Sequence, residues 1–233
     1  MRLALISDVH ANLEALEAVL SVIDERAPDA AYCAGDVVGY GADPAACLHL
    51  VRERCDGVVL GNHDEAVGGD PDEGFLPQGG RKVAHRHHEQ LSDDERAYLR
   101  DLPPTLEAHG CTFVHATPDE PRAWRRLDSH TVAKEQFAHF DTDVCFVGHT
   151  HRPAVMADRL GVLRVRPGHR YLINVGSVGQ PRDQNPRACV AFFDTDTFDY
   201  DLERVPYDTE RAADKICEAS LPDQLAQRLY RGK

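Results

Sequence analysis

The chain has 233 residues, with 26 Lys plus Arg against 39 Asp plus Glu, for a formal net charge of −13. Hydrophobic residues at 42% and charged residues at 28% exclude global disorder, and the length is ample for a large buried core. The acidic balance excludes bulk nucleic-acid binding, which needs a basic footprint, while a local site can still oppose the global sign and take a small anion.

In chain order, Leu3–Ile6 is a short apolar run that predicts a strand, followed by the loop Ser7-Asp8-Val9-His10. Leu13, Leu16, Ala18 and Leu20 carry helical spacing to about Arg26, and Pro28 stops that helix. Ala30–Ala34 predicts a second strand ending at Gly35-Asp36. Ala45–Arg54 predicts a helix with Asp43-Pro44 as its cap and first turn. Val58–Leu60 predicts a third strand, ending at the loop Gly61-Asn62-His63-Asp64. Three strand–helix steps of this kind predict parallel strands.

Residues 68–80 are rich in Gly, Pro and acid and predict an exposed loop. Helices are expected at Arg81–Gln90 and Ser92–Arg100, the second opened by a capping box, Ser92-Asp93-Asp94-Glu95. Cys111–His115 predicts a strand, Val132–Phe140 a helix, and Val144–Val147 a strand leading into Gly148-His149-Thr150-His151. The runs Ala154–Ala157, Val162–Val165, Tyr171–Val175, Ala188–Phe193 and Phe198–Val205 predict a second, largely antiparallel sheet. Arg211–Arg228 predicts a helix broken near Pro222. With no internal repeat or linker, residues 1–233 read as a single α/β domain with two sheets.

The stretch before Ser7 is too short for a signal peptide, and no run approaches the ~18 apolar residues of a membrane span. Seven scattered cysteines without a CxxC pair argue against a disulfide framework. A cytoplasmic protein is the expectation.

Five of these loops each follow an apolar strand and carry metal-ligand residues: Asp8 and His10, Asp36, Asn62-His63-Asp64, His115, and His149 with His151. In open α/β sheets, ligands bind beyond the carboxyl ends of the strands, where side chains from distant positions meet. Two Asp, one Asn amide and several His make a nitrogen and oxygen donor set without thiolate. It suits Mn, Fe, Zn, Co or Ni better than Ca or an all-oxygen Mg site. There are too many donors for one tetrahedral zinc, and enough for two divalent ions sharing a carboxylate. Each block alone has an ordinary reading, Asp8 as a helix cap or Gly35-Asp36 as a turn. The joint occurrence carries the functional reading.

The ordered set D-x-H, G-D, G-N-H-D, strand-end His and G-H-x-H resembles the calcineurin-like metallophosphoesterase superfamily, and spans Asp8 to His151. The resemblance implies a four-layer αββα sandwich of two mixed sheets flanked by helices. It implies two divalent transition metal ions, with Mn or Fe favoured. Asp8, His10 and His151 would hold one ion, Asn62, His115 and His149 the other, and Asp36 would bridge them. His63 would be the catalytic histidine, with Asp64 orienting it. The implied reaction is hydrolysis of a phosphoester by a hydroxide bridging the metals.

Departures from the pattern bear on the substrate. Protein phosphatases of the superfamily carry G-D-x-x-D-R-G, whereas here Gly39 and Tyr40 stand in place of the Asp and the Arg. A bidentate Arg suits a phosphomonoester dianion. GDVVGYGADP, VLGNHDEAV and NVGSVGQPRD resemble instead a bacterial and archaeal branch near the YfcE-like phosphodiesterases, some relatives of which hydrolyse diadenosine tetraphosphate. The expected substrate is therefore a small phosphodiester or nucleotide phosphoanhydride. A protein phosphatase or phosphomonoesterase is the alternative, and a non-catalytic metal-binding scaffold the reading from another class. Arg182 and Gly179, in the segment Val175–Arg182, are candidate phosphate contacts, with the glycine backbone open to an anion. His85, His87 and His88 read as a solvated helix face. Trp124 reads as cleft lining or core. Oligomeric state and physiological substrate stay open.

Overall fold

The computed structural model describes all residues except 73, 74, 75, 160 and 163. Ten strands and eight helices are formed among the described residues. They run β1 (Arg2–Ile6), α1 (Leu13–Arg26), β2 (Ala30–Cys33), α2 (Pro44–Arg54), β3 (Gly57–Val58), α3 (Asn62–Gly68), α4 (Gln78–Gln90), α5 (Asp93–Asp101), β4 (Thr105–Ala108), β5 (Cys111–Val114), α6 (His130–Gln136), β6 (Val144–Val147), β7 (Ala154–Ala157), β8 (Tyr171–Asn174), β9 (Ala188–Asp194), β10 (Tyr200–Val205), α7 (Thr209–Glu218) and α8 (Asp223–Arg231).

The strands form two five-stranded sheets, β10-β9-β1-β2-β3 and β4-β5-β6-β8-β7. In the first, β1, β2 and β3 are parallel, and β9 and β10 are antiparallel additions. In the second, β5, β6 and β8 are parallel, with β4 and β7 antiparallel at the edges.

Period-two alternation builds four layers from these strands. Leu3, Leu5, Phe113, Phe146, Ile173 and Phe193 fill the space between the sheets. Their neighbours Ala4, Ile6, Val190 and Phe192 point the other way, against α1 and α2. Cys145, Val147 and Leu172 point outward on the second sheet and meet Ala133 of α6. Each fully buried Leu or Phe here contributes about 1.5–3 kcal/mol. The αββα sandwich of two mixed sheets is thus what the chain folds into.

The expected C-terminal antiparallel sheet does not form as a separate unit. β7 and β8 join β4, β5 and β6, whereas β9 and β10 extend the sheet begun by β1. The reason lies in β9, whose two faces are both apolar, so it is stable only as an interior strand buried on both sides. Two elements also escape periodicity. β4 is a half-exposed edge strand containing Glu107, and α3 is a short helix on what reads as a loop. α4 starts at Gln78, earlier than expected, and α6 ends at Gln136. Val162 and Val165 lie outside any strand and pack on the core between the sheets. Leu163 of that expected strand and residues 73–75 of the expected loop fall outside the described residues.

Caps agree with the local sequence. Asn12, not Asp8, caps α1, accepting from the Ala15 N–H. The Ser92–Glu95 capping box is present on α5. The C-terminal helices split at Pro222 and pack with Ala212, Ala213, Ile216 and Leu225 around Tyr40. All seven cysteines are unpaired. No helix among the described residues is long and apolar enough to cross a membrane.

Candidate metal centre and active-site cleft

The carboxyl ends of β1, β2, β3, β5 and β6 converge on one cleft, and each delivers its loop residues there. Asp8 and His10 follow β1, Asp36 follows β2, Asn62 and His63 open α3 after β3, His115 follows β5, and His149 and His151 follow β6. A cleft of about 330 Å³ is lined by Asp36, Asn62, His63, His149, His151 and Arg182, together with Tyr40, Trp124 and Arg126.

Bringing these side chains together bends the backbone sharply. Asp8, His10, Asp36, His149 and His151 all sit at positive φ, between 49° and 65°. That left-handed region costs a residue with a Cβ roughly 1–2 kcal/mol. Backbone hydrogen bonds hold the strained turns, with the Asp8, His10 and Ala11 N–H groups donating to the Gly35, Asp36 and Val37 carbonyls at 2.9–3.0 Å.

Backbone carbonyls also fix the imidazole tautomers. His10 Nδ1 faces the Val38 carbonyl at 3.1 Å and His151 Nδ1 faces the Gln180 carbonyl at 2.6 Å. A carbonyl only accepts, so both Nδ1 atoms carry hydrogen and both Nε2 atoms present a lone pair. Those two Nε2 atoms lie 3.1 Å apart and face each other. A second convergence repeats the arrangement. His115 Nδ1 donates to the Ala34 carbonyl, His149 Nε2 donates to the Trp124 carbonyl, and His115 Nε2 meets His149 Nδ1 at 3.3 Å. Two acceptors aimed at one point attract a cation, and ~2.0–2.2 Å metal–ligand bonds place neighbouring donors about 3 Å apart.

The carboxylates stand beside these nitrogen pairs. Asp8 Oδ1 lies 3.3 Å from His151 Nε2 and 3.7 Å from His10 Nε2. Asp36 Oδ2 lies 3.6 Å from His10 Nε2 and 3.2 Å from His115 Nε2, so one oxygen borders both pairs. Asn62 Oδ1 is buried without a hydrogen-bond partner among the described residues. An orphaned amide oxygen beside such a cluster fits a metal ligand. His63 also reaches the cluster, offering a ring nitrogen within 4.8 Å of the donors of His10 and Asp36.

Burial and mutual charge set the protonation. Burial holds His10 and His151 well below the usual histidine range, and lowers His63 to about 4 and His149 to about 3. These rings are neutral at pH 7, the form that donates a lone pair. Burial also acts against charge on His115 and Asp36. Their mutual attraction overrides it, raising His115 to about 9 and helping to hold Asp36 well below its usual value, so a metal ion would have to displace the His115 Nε2 proton to gain that lone pair. Burial raises Asp8 to about 7.

Several expectations need correction. Among the described residues, the Asp64 carboxylate forms no hydrogen bond with the His63 ring. That carboxylate accepts from the Val37, Val38 and Gly61 N–H groups at 2.9–3.1 Å, and so ties the Asp36 turn to the start of α3. His63 Nδ1 is buried with no partner among the described residues. Gly179 is no open anion cradle. Its N–H donates to the Asp8 carbonyl, the Val178 and Gln180 N–H groups are engaged too, and a Cβ at Gly179 would lie 1.9 Å from the Val9 carbonyl oxygen. Close backbone packing explains this glycine. Arg182 does line the cleft, with its guanidinium 5.4 Å over the Tyr40 ring and its Nε unpartnered among the described residues.

His87 is fully buried rather than solvated, and it braces the Gly39–Gly41 turn. The surrounding charged residues of α4 hid it, because only one face of that helix is buried. His85 does face solvent, pairing with Asp72. Tyr40 packs on both His10 and His63 at 4.4 Å between ring centroids. Trp124 is buried, donating to Glu65 while its carbonyl fixes His149.

The model of the calcineurin-like phosphoesterase superfamily domain matches residues 1–198. The chain belongs to this superfamily. It is 36% identical to the uncharacterized protein MJ0912 of Methanocaldococcus jannaschii, covering 99% of this chain and 98% of that one. It is 37% identical to the crystal structure of a metallophosphoesterase from Sphaerobacter thermophilus, with a TM-score of 0.88 over 100% of this chain and 99% of the other. The hypothetical protein PH1004 of Pyrococcus horikoshii shares the fold at 23% identity and a TM-score of 0.82, covering 100% and 98% of the two chains. More distant structural neighbours include diadenosine tetraphosphatase-like and YfcE phosphoesterases. The superfamily's metal dependence agrees with His and Asp clusters able to hold metal, namely Asp8–His10–His151, His10–Asp36–His63 and Asp36–His115–His149.

Proposed function

We propose that this phosphoesterase holds two divalent metal ions and hydrolyses phosphodiester or nucleotide phosphoanhydride bonds in a small substrate. The observation that carries the reading is Asp36 Oδ2, which borders both pairs of converging imidazole nitrogens. Asp8, His10 and His151 would hold one ion, Asn62, His115 and His149 would hold the other, and Asp36 would serve both. When bound, such ions polarise phosphoryl oxygens and lower the pKa of water toward ~7, supplying a nucleophile at neutral pH. The thiolate-free donor set suits Mn, Fe, Zn, Co or Ni, and the family resemblance favours Mn or Fe among them.

The chain's own residues do the rest. The buried, neutral His63 ring, packed between His10 and Tyr40, stabilises phosphoryl charge through its remaining N–H. Arg182 faces the cleft and offers its guanidinium to a phosphoryl oxygen. Gly39 and Tyr40 stand where the protein-phosphatase motif has Asp and Arg, and the missing bidentate Arg supports a diester over a monoester dianion. Seven unpaired thiols suit a reducing compartment and support the reading of a cytoplasmic enzyme.

The test compares bis-4-nitrophenyl phosphate with 4-nitrophenyl phosphate in the presence of Mn²⁺. The diester is expected to give the higher kcat/KM. A strong preference for the monoester overturns the diester assignment.

A further inference from the structure

A second pocket, also of about 330 Å³, lies behind the His149–Thr150–His151 loop. Nothing in the metal chemistry uses it. Its floor is the outer face of the second sheet, with Val147, Leu172 and Met156, and Ala133 of α6 closes one side. The size and the apolar lining match those of small-molecule sites.

Three observations tie this pocket to the cleft. Arg126 lines both. The connecting loop presents His149 and His151 to the cleft and Thr150, between them, to the pocket. Asn174, at the pocket wall, donates to the Gly148 carbonyl at 2.5 Å and to Thr150 Oγ1 at 3.0 Å, so the pocket and the loop share one hydrogen-bonded support.

Charge and polarity narrow the occupant. Arg126 and Arg152 both line the pocket, and neither forms an ion pair among the described residues, in a chain of net charge −13. The Arg152 Nε donates to the Arg182 carbonyl at 2.9 Å. Asp128, Ser129 and His130 add hydrogen-bonding groups at the rim. An apolar slot with polar edges and arginine at its junction with a phosphoester site fits a flat heterocycle attached through a sugar to a phosphate.

We infer that this pocket is the subsite for the nucleoside arm of the substrate, with Arg126 contacting the linking phosphate. The inference rests on the phosphoesterase reading and narrows its substrate class to nucleotide esters and anhydrides.

Strand alternation supplies a matched pair of variants. On β7, Ala154 and Met156 line the pocket, whereas Val155 and Ala157 line another depression on the opposite side. Ala154→Trp fills the pocket, and Val155→Trp places the same bulk on the same exposed edge strand, outside it. Two substrates are compared with Mn²⁺, thymidine 5′-(4-nitrophenyl phosphate) and methyl 4-nitrophenyl phosphate. The native chain is expected to favour the nucleoside ester at least tenfold in kcat/KM, mostly through KM. Ala154→Trp loses that preference and Val155→Trp keeps it. A native ratio near one, or a ratio retained in Ala154→Trp, overturns the subsite while leaving the phosphoesterase reading intact. If neither ester is cleaved with any divalent ion, the phosphoesterase reading fails, and calorimetric binding of thymidine 5′-monophosphate to metal-free protein decides the pocket. Binding weakened tenfold or more by Ala154→Trp alone supports it. Absent binding, or binding equal in all three proteins, overturns it.

Discussion

The His87 imidazole accepts the Gly39 N–H at Nδ1 and donates from Nε2 to the Gly41 carbonyl, each at 3.1 Å. A single buried ring from α4 thus clamps both ends of the turn that carries Tyr40 against His10 and His63. Burial holds His87 down at about 3, so this one-donor, one-acceptor form persists at neutral pH. His87→Ala leaves two backbone groups without their partner and opens a cavity. The expected cost is about 2–4 kcal/mol in urea unfolding, with a fall in kcat/KM as Tyr40 loosens. Unchanged stability would remove the bracing role.

His63 and Gly39 form a second pair with separable predictions. His63→Ala is expected to lower kcat by about 10²–10⁴ while metal content stays at the native level. Gly39→Ala should act on the same step indirectly, because its Cβ would collide with His63 Nδ1 and because φ at Gly39 is +97°. It loses activity and about 1–3 kcal/mol of stability together. A Gly39→Ala protein with native kcat would show that the His63 position is not critical.

The proposed two-ion centre puts Asp36 beside both ions, and this is open to test. Metal analysis of the purified chain should return two divalent ions, and Asp36→Asn should lose most of both. Titrating chelated protein with Mn²⁺ should raise Tm in step with concentration, by the equivalent of about 2.7 kcal/mol at a hundredfold excess over Kd. One ion per chain, with Asp36→Asn still binding it, would count against the bridge.

Lys215 predicts an alkaline limit to stability. Its ammonium, mostly buried, lies 2.5 Å from Glu14 and 3.0 Å from Asp43, joining α7 to α1 and to the cap of α2. Burial works against its charge, and the two hydrogen bonds outweigh burial, raising its pKa above the usual 10.5. A raised lysine pKa contributes stability that is complete below about 10.5 and is lost as pH climbs through the folded value. Lys215→Met should cost about 2 kcal/mol at pH 7 and flatten this alkaline decline. A variant whose stability falls above pH 10.5 as steeply as the native chain would refute the assignment.

The sequence alone determined the set of candidate metal-ligating residues and the layered α/β plan. Asp8, His10, Asp36, Asn62, His115, His149 and His151 were legible because each follows an apolar strand, and strand ends of parallel sheets meet at one edge. Helix caps such as Ser92–Glu95 were legible because they are local. What tertiary structure decided is everything that depends on contacts between distant segments. The split of the C-terminal strands between two sheets follows from the pairing of β9 with β1, a non-local contact that the apolar run of β9 does not by itself specify. Asp64 binds the Asp36 turn rather than His63, and Gly179 serves backbone packing rather than anion binding, because each partner lies on a different strand end. His87 looks like one of a run of solvated histidines until α4 packs against the Gly39–Gly41 turn. The imidazole tautomers, too, are set by carbonyls from other strands. Residue type and spacing reveal what chemistry a chain carries, whereas the aim of each donor is fixed only when non-local backbone groups supply its second hydrogen bond.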